Sequence, residues 1–177
     1  RELQKSLRTI QEQNHILSFV SEYDELTHLL NRRGFMERAI RCCQQSEGKK
    51  AYLIFGDLDH LKEINDCFGH AAGDFAISNA AKYLQEALPS EAITARIGGD
   101  EFMALALSEK PNFKEVVMGH LHKIGESFNK RSEKPYYVEI SVGIYEFCCD
   151  AQTDLNELIQ KSDELLYQAK AVRRKSV

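Results

Sequence analysis

Arg96-Ile97-Gly98-Gly99-Asp100-Glu101-Phe102-Met103-Ala104-Leu105 holds two apolar runs that meet at a double glycine followed at once by two carboxylates. The pattern predicts a hairpin, because glycine reaches positive φ without steric cost and so suits a tight β-turn. Asp100 and Glu101 then re-enter the second strand side by side, next to bare backbone. Such a tip favours a cation, with a phosphate behind it. Taken alone, the same residues also read as a solvated turn carrying two acids.

Working outward, Ala51-Tyr52-Leu53-Ile54-Phe55-Gly56-Asp57-Leu58-Asp59 is a short apolar run that ends in acids, and it reads as a buried strand delivering Asp57 to the surface. A helical turn follows over His60 to Asp66, with a break at Phe68, Gly69 and His70. Gly73-Asp74 opens a long helix whose inward face is Ile77, Ala80, Ala81, Leu84 and Leu88, stopped by Pro89. The Asp57-to-Asp66 run is not an EF-hand, since Leu61 and Lys62 stand where that loop needs an oxygen ligand and a glycine. The hairpin strands fall near 92–97 and 101–107. Phe113, Val116, Val117, Leu121, Ile124 and Phe128 mark a further helix, Tyr136 to Phe147 a strand, and a helix from about Asp154 closes the chain.

Between 51 and 147 the order strand, helix, strand, strand, helix, strand is that of a ferredoxin-like βαββαβ domain, an α+β fold with added helices. In this topology the first strand lies between the fourth and the third and runs antiparallel to the third. Asp57 therefore comes beside Asp100 and Glu101 across more than forty intervening positions. Three carboxylates at one sheet edge repel each other unless cations sit among them, and two Mg2+ ions per site, or Mn2+ in their place, suit phosphoryl transfer.

Residues 1–22 read as a helix preceding the 23–177 domain. Leu3, Ile10 and Leu17 recur every seven residues, interleaved with Leu7, Asn14 and Ser21. So narrow a seam predicts a two-stranded coiled coil, with packing on the chain's own domain as the alternative. Asn31 is a cap for the next helix, which buries Phe35, Ala39, Ile40 and Cys43. Arg32 and Arg33 oppose that helix's dipole, as solvated charges or with another task.

The 177 residues are enough for one domain with a full core and too few to suggest two. With 23 basic against 27 acidic residues the net charge is −4, which excludes a nucleic-acid-coating surface. There is no stretch of membrane-spanning length and no signal peptide, so no membrane contact is expected. Five cysteines match neither a disulfide framework nor a zinc spacing, consistent with reduced thiols and a cytoplasmic location. Because the chain opens at Arg1, we expect a longer protein with an upstream sensory domain.

The signature Gly98-Gly99-Asp100-Glu101-Phe102 resembles that of the GGDEF domains, the bacterial diguanylate cyclases. Asp24-Glu25-Leu26-Thr27-His28-Leu29-Leu30-Asn31-Arg32-Arg33 resembles the family's opening motif, with His28 where glycine is usual. Asp57 to Asp66, Gly69-His70, Gly73-Asp74 and the closing Tyr167-Gln168-Ala169-Lys170 resemble its central and terminal motifs. The resemblance implies condensation of two GTP molecules into cyclic di-(3′,5′)-GMP, with release of two pyrophosphates, between the facing sites of a homodimer.

Carried over by position, it implies that Asp57, Asp100 and the Leu58 carbonyl ligate the metals. Glu101 would serve there too and help deprotonate the attacking hydroxyl, with Asp100 and Lys62 assisting catalysis. Asn65 and Asp74 would read guanine; an aspartate accepts from N1–H and the 2-amino group together, which adenine cannot offer. His60, Leu61, Lys62 and the Gly99 backbone would meet phosphates, and Lys170 and Arg174 would hold the triphosphate. Two departures stand out. Pro89-Ser90-Glu91-Ala92 replaces the Arg-x-x-Asp product-binding site of many members, so product inhibition there is not expected. Val172-Arg173-Arg174 lacks the glycine usual before the arginine. The contrasting expectation is a catalytically silent GTP-binding or dinucleotide-binding module, or one that only relays signals by dimerising.

Overall fold

The computed structural model describes residues 2–175; the side chains of residues 14–16, 18–21 and 173–175 lie outside the description, and with them Asn14, Ser21 and Arg174. The elements are α1 (Glu2–Glu22), α2 (Arg32–Gln45), β1 (Lys50–Leu58), α3 (Leu61–Phe68), α4 (His70–Ala87), β2 (Ile93–Arg96), β3 (Glu101–Leu107), α5 (Phe113–Arg131), β4 (Ile140–Cys148) and α6 (Leu155–Lys175). The sheet order is β2-β3-β1-β4, and β1 runs antiparallel to both neighbours. This is the expected α+β topology.

Strand alternation sorts the core into two layers. Tyr52, Ile54 and Leu58 of β1, with Phe102, Ala104 and Ala106 of β3, pack under α4 and α5. Ala51, Leu53 and Phe55, with Met103 and Leu105, face α2 and α6 on the other side. Because helices cover both faces, β1 is buried almost throughout, which is why its sequence is a continuous apolar run rather than an alternating one.

Close approach of α6 depends on one residue. A Cβ built on Gly143 of β4 would lie 2.2 Å from the Ser162 carbonyl oxygen and 2.4 Å from the Leu166 nitrogen. Ser162, fully buried, secures the same contact by donating to Leu158 O at 2.8 Å and Leu53 O at 3.3 Å.

Several boundaries differ from the sequence reading. Helix α4 begins at His70 rather than Gly73, because the preceding turn extends into a full helix, α3, and Gly69, at φ 86°, reverses the chain abruptly between the two. Residues 136–139 are not strand. Asn129 instead holds this stretch through Val138, its side-chain amide donating to the Val138 carbonyl and its Oδ1 accepting from the Val138 N–H. Ile40 is 42% exposed, and Gly34 lies in the buried face of α2. Asn31 caps α2 as expected, accepting from Gly34 N at 3.0 Å. Leu3, Leu7, Ile10 and Leu17 of the α1 seam are all exposed, so these four do not pack on the chain's own domain. All five cysteines are free thiols.

Candidate active site

The hairpin forms where it was expected, but not for the expected reason. Neither Gly98 nor Gly99 has a positive φ. At Gly98 the Glu101 carboxylate lies close by, its Oε2 2.8 Å from where a Cβ would sit. Gly99 has nothing within 4 Å of its Cβ position, so its backbone borders open space.

Arg96 braces the loop from below, donating from Nε to Gly98 O at 3.1 Å and from Nη2 to Gly99 O at 3.0 Å. Its Nη1 pairs with Asp24 Oδ1 at 3.1 Å. Asp24 Oδ2 in turn accepts from the Thr27 amide and hydroxyl at 2.8 and 2.7 Å. Burial pushes the Asp24 carboxyl up, but the two Thr27 bonds and the Arg96 guanidinium outweigh it and hold the group below its ordinary value. The opening motif and the signature are thus one mechanical unit. His28 follows in the left-handed region, φ 59°, a conformation that glycine adopts more readily than histidine.

Strand register brings the acids to one edge. Asp57 is the direct partner of Glu101 on β3 and of Ser141 on β4, and Leu58 N donates to Asp100 O at 2.8 Å. All three partnered side chains therefore share the sheet face covered by α6. From α6, Lys170 Nζ reaches Asp57 Oδ2 at 3.1 Å and Asp59 Oδ1 at 3.3 Å, and Ser141 Oγ donates to Asp59 Oδ2 at 2.6 Å. Burial pushes the Asp57 carboxyl up; Lys170 pulls it back, but the charges of Asp100 and Asp59 add to burial and leave it raised. Desolvation disfavours the Lys170 ammonium, and Asp57 and Asp59 overcome that and raise it.

The three predicted acids share this edge without closing on a point. Among the described residues no group of three or more His, Cys, Asp or Glu is gathered tightly enough to hold an ion with the side chains as they stand. The donor set is nevertheless all oxygen, and the Asp57 carboxyl is raised by burial first and by the charges of Asp100 and Asp59 after it. These residues fit a hard divalent cation.

Beyond β1 the chain turns at His60, φ 60°, into α3, and the His60 ring contacts Glu63. Lys62 is exposed and Leu61 partly buried at the start of α3. Asn65 lies against α4 so closely that a Cβ on Gly73 would fall 1.9 Å from its Oδ1, and exposed Asp74 is the next residue. The structure therefore unites Asn65 with the 73–74 segment. Asp59, Ser141, Asp24 and Arg96 were absent from the sequence-derived site. Asp59 was detectable from the Asp57-x-Asp59 spacing; Ser141 became visible only through strand register.

The match to known proteins follows the same residues. Residues 21–176 match the model of the diguanylate cyclase GGDEF domain. The chain belongs to the GGDEF domain family. It is 30% identical over 166 residues to MucR of Pseudomonas aeruginosa, a bifunctional diguanylate cyclase/cyclic di-GMP phosphodiesterase, covering 89% of this chain and 23% of that protein. The coiled coil and GGDEF domain of DgcB from Caulobacter crescentus, solved in complex with c-di-GMP, superimposes with a TM-score of 0.81 over 96% of this chain and 91% of that one, at 24% identity. The DgcB GGDEF domain alone, also with c-di-GMP, gives 0.72 at 28% identity over 85% and 91%. This GGDEF chain spans less than a quarter of the curated relatives it matches. Among its described residues no helix is long and apolar enough to cross a membrane.

Proposed function

We propose that this GGDEF domain is an active, GTP-specific diguanylate cyclase that joins two GTP molecules into cyclic di-GMP across a homodimer. The observation that carries the reading is the register of Asp57 against Glu101, with Asp100 tied to Leu58: three carboxylates placed beside the open backbone of Gly99. Mg2+ ions held by Asp57, Asp100, Glu101 and the Leu58 carbonyl would supply neutralisation of the triphosphate and a lowered pKa for the attacking 3′-hydroxyl.

Lys170 shields Asp57 and Asp59 until substrate arrives and then serves the triphosphate, with Arg174 beyond it on the same helix. Glu101, held over Gly98, accepts the proton of the attacking hydroxyl. The Gly99 backbone, the N-terminal amides of α3 at Leu61 and Lys62, the Lys62 ammonium and the His60 turn receive phosphate oxygens. Asn65 and Asp74 accept from guanine. Each subunit presents one GTP, so turnover requires a second copy facing the first, with α1 as the element through which an upstream domain sets that orientation.

The test is incubation of the purified chain with GTP and Mg2+. Two pyrophosphates per cyclic di-GMP are expected, with product lost in Asp100→Ala. In Asp74→Ser, discrimination against ATP should relax. A folded, dimeric chain that forms no cyclic dinucleotide refutes the proposal.

A further inference from the structure

Lys170 is shared between two carboxylates that are not equivalent. Its Nζ lies 3.1 Å from Asp57 Oδ2 and 3.3 Å from Asp59 Oδ1. Asp57 stands within β1, opposite Glu101 and Ser141, at the edge where the proposed function places its cations. Asp59 lies just past the strand and is fixed from two sides. Its amide donates to the Glu139 carbonyl at 2.9 Å, and its Oδ2 accepts from Ser141 Oγ at 2.6 Å while Oδ1 meets the lysine. The Asp59 side chain is 13% accessible against 25% for Asp57, and Ser141 is buried.

This difference decides where the ammonium goes when substrate binds. Once Asp57 ligates a divalent ion, Lys170 has like charge beside it, and the Asp57 contact no longer holds it. A lysine without a partner would swing on its flexible four-carbon stem and would have to be ordered again on each phosphate. Asp59 prevents this, because its oriented Oδ1 keeps one donor of the ammonium while the remaining donors turn outward. The base of the lysine is fixed as well, since α6 lies so close to β4 that an added Cβ on Gly143 would fall 2.2 Å from Ser162 O.

We propose that Asp59, oriented by Ser141, is a positioning residue for Lys170: it retains the ammonium at the strand edge once Asp57 is engaged and so fixes its reach to the outer phosphates of GTP. This role rests on the proposed function, which assigns Asp59 and Ser141 no task of their own. The sign of a charge change separates anchoring from bulk electrostatics. An Asp59 that acted only through its charge would repel a polyanion, and its removal would tighten binding; loss of an anchor loosens it.

The test is calorimetric titration of the whole chain, with Mg2+, by two nucleotides. 3′-Deoxy-GTP lacks the attacking hydroxyl and cannot condense, and GMP lacks the outer phosphates. Ser141→Ala alters no charge and should weaken 3′-deoxy-GTP about threefold; Asp59→Asn should weaken it about fivefold to tenfold, and both should leave GMP within about twofold. With Lys170→Ala already in place, Asp59→Asn should add nothing, because its effect passes through the lysine. A triphosphate affinity that is unchanged or higher in Asp59→Asn or Ser141→Ala overturns the proposal and leaves the proposed function standing. So does equal weakening of both nucleotides, or an undiminished Asp59→Asn effect without Lys170. An unaltered chain that binds neither nucleotide overturns the proposed function and this role with it.

Discussion

Two aspartate–cation pairs flank the signature hairpin and behave in opposite ways. Below the loop, Asp24 meets Arg96 and two Thr27 donors, and its carboxyl is held below the ordinary 3.8. Above it, Asp57 shares Lys170 with Asp59 while facing Asp100, and its carboxyl is raised above the same value. The two differ little in exposure, with 21% and 25% of the Asp24 and Asp57 side-chain surface accessible. Burial pushes both carboxyls up, and what differs after it is that Thr27 and Arg96 outweigh it at Asp24, whereas at Asp57 the charges of Asp100 and Asp59 work against Lys170. The lower pair is hydrogen-bonded on both carboxylate oxygens and braces the hairpin; the upper group gathers Asp57, Asp59 and Lys170 at the edge where the proposed function places its cations.

The sharpest structural break is Gly143→Val. Its side chain would meet the backbone of α6, lifting Lys170 from Asp57, and should cost about 3 kcal/mol in urea unfolding. Asp24→Asn comes next, at about 2 kcal/mol, since it replaces one Arg96 acceptor by a donor and weakens the Thr27 bonds. A fall within the error of the unfolding curve would show the lower pair to be decorative.

The pH prediction distinguishes the two acids by sign. For Asp24, with its folded pKa depressed, the stabilisation is present above 3.8 and is lost as pH falls through the lower folded value. For Asp57, with its folded pKa raised, ionisation opposes folding, and that penalty is relieved as pH falls through the higher folded value. Carbon-13 carboxyl shifts should therefore show Asp57 protonating first as pH falls. The reverse order would dissolve the contrast. The smallest effect is expected from His28→Gly, which removes a left-handed non-glycine residue and should stabilise by about 0.5–1 kcal/mol.

Much of this arrangement was legible in the sequence because local chemistry and topology agree. The acid-ended apolar run of β1 and the double glycine of the hairpin each announce a strand end, and the βαββαβ order places them together. What could not be read was contact through register and space. Ser141 reaches Asp59 only because β4 pairs with β1 at that offset, and Lys170 lies over Asp57 because Gly143 lets α6 approach. The glycine pair illustrates a subtler miss. The double glycine suggested a positive-φ turn, whereas neither Gly98 nor Gly99 has a positive φ and the Glu101 carboxylate lies close over Gly98. Helix α4 was begun three residues late because Gly69 and His70 read as a break in both flanking periods.

The central claim is that the end of β1 and the tip of the hairpin act as one cation-dependent phosphoryl-transfer site. Its most direct test is the rate of cyclic di-GMP formation from GTP and Mg2+ by Asp57→Asn beside the unaltered chain, at equal concentrations of folded protein. The account predicts a rate at least about 100-fold lower with an undiminished unfolding midpoint, because ionisation of the residue removed opposes folding. A variant that turns over GTP at the unaltered rate would contradict it.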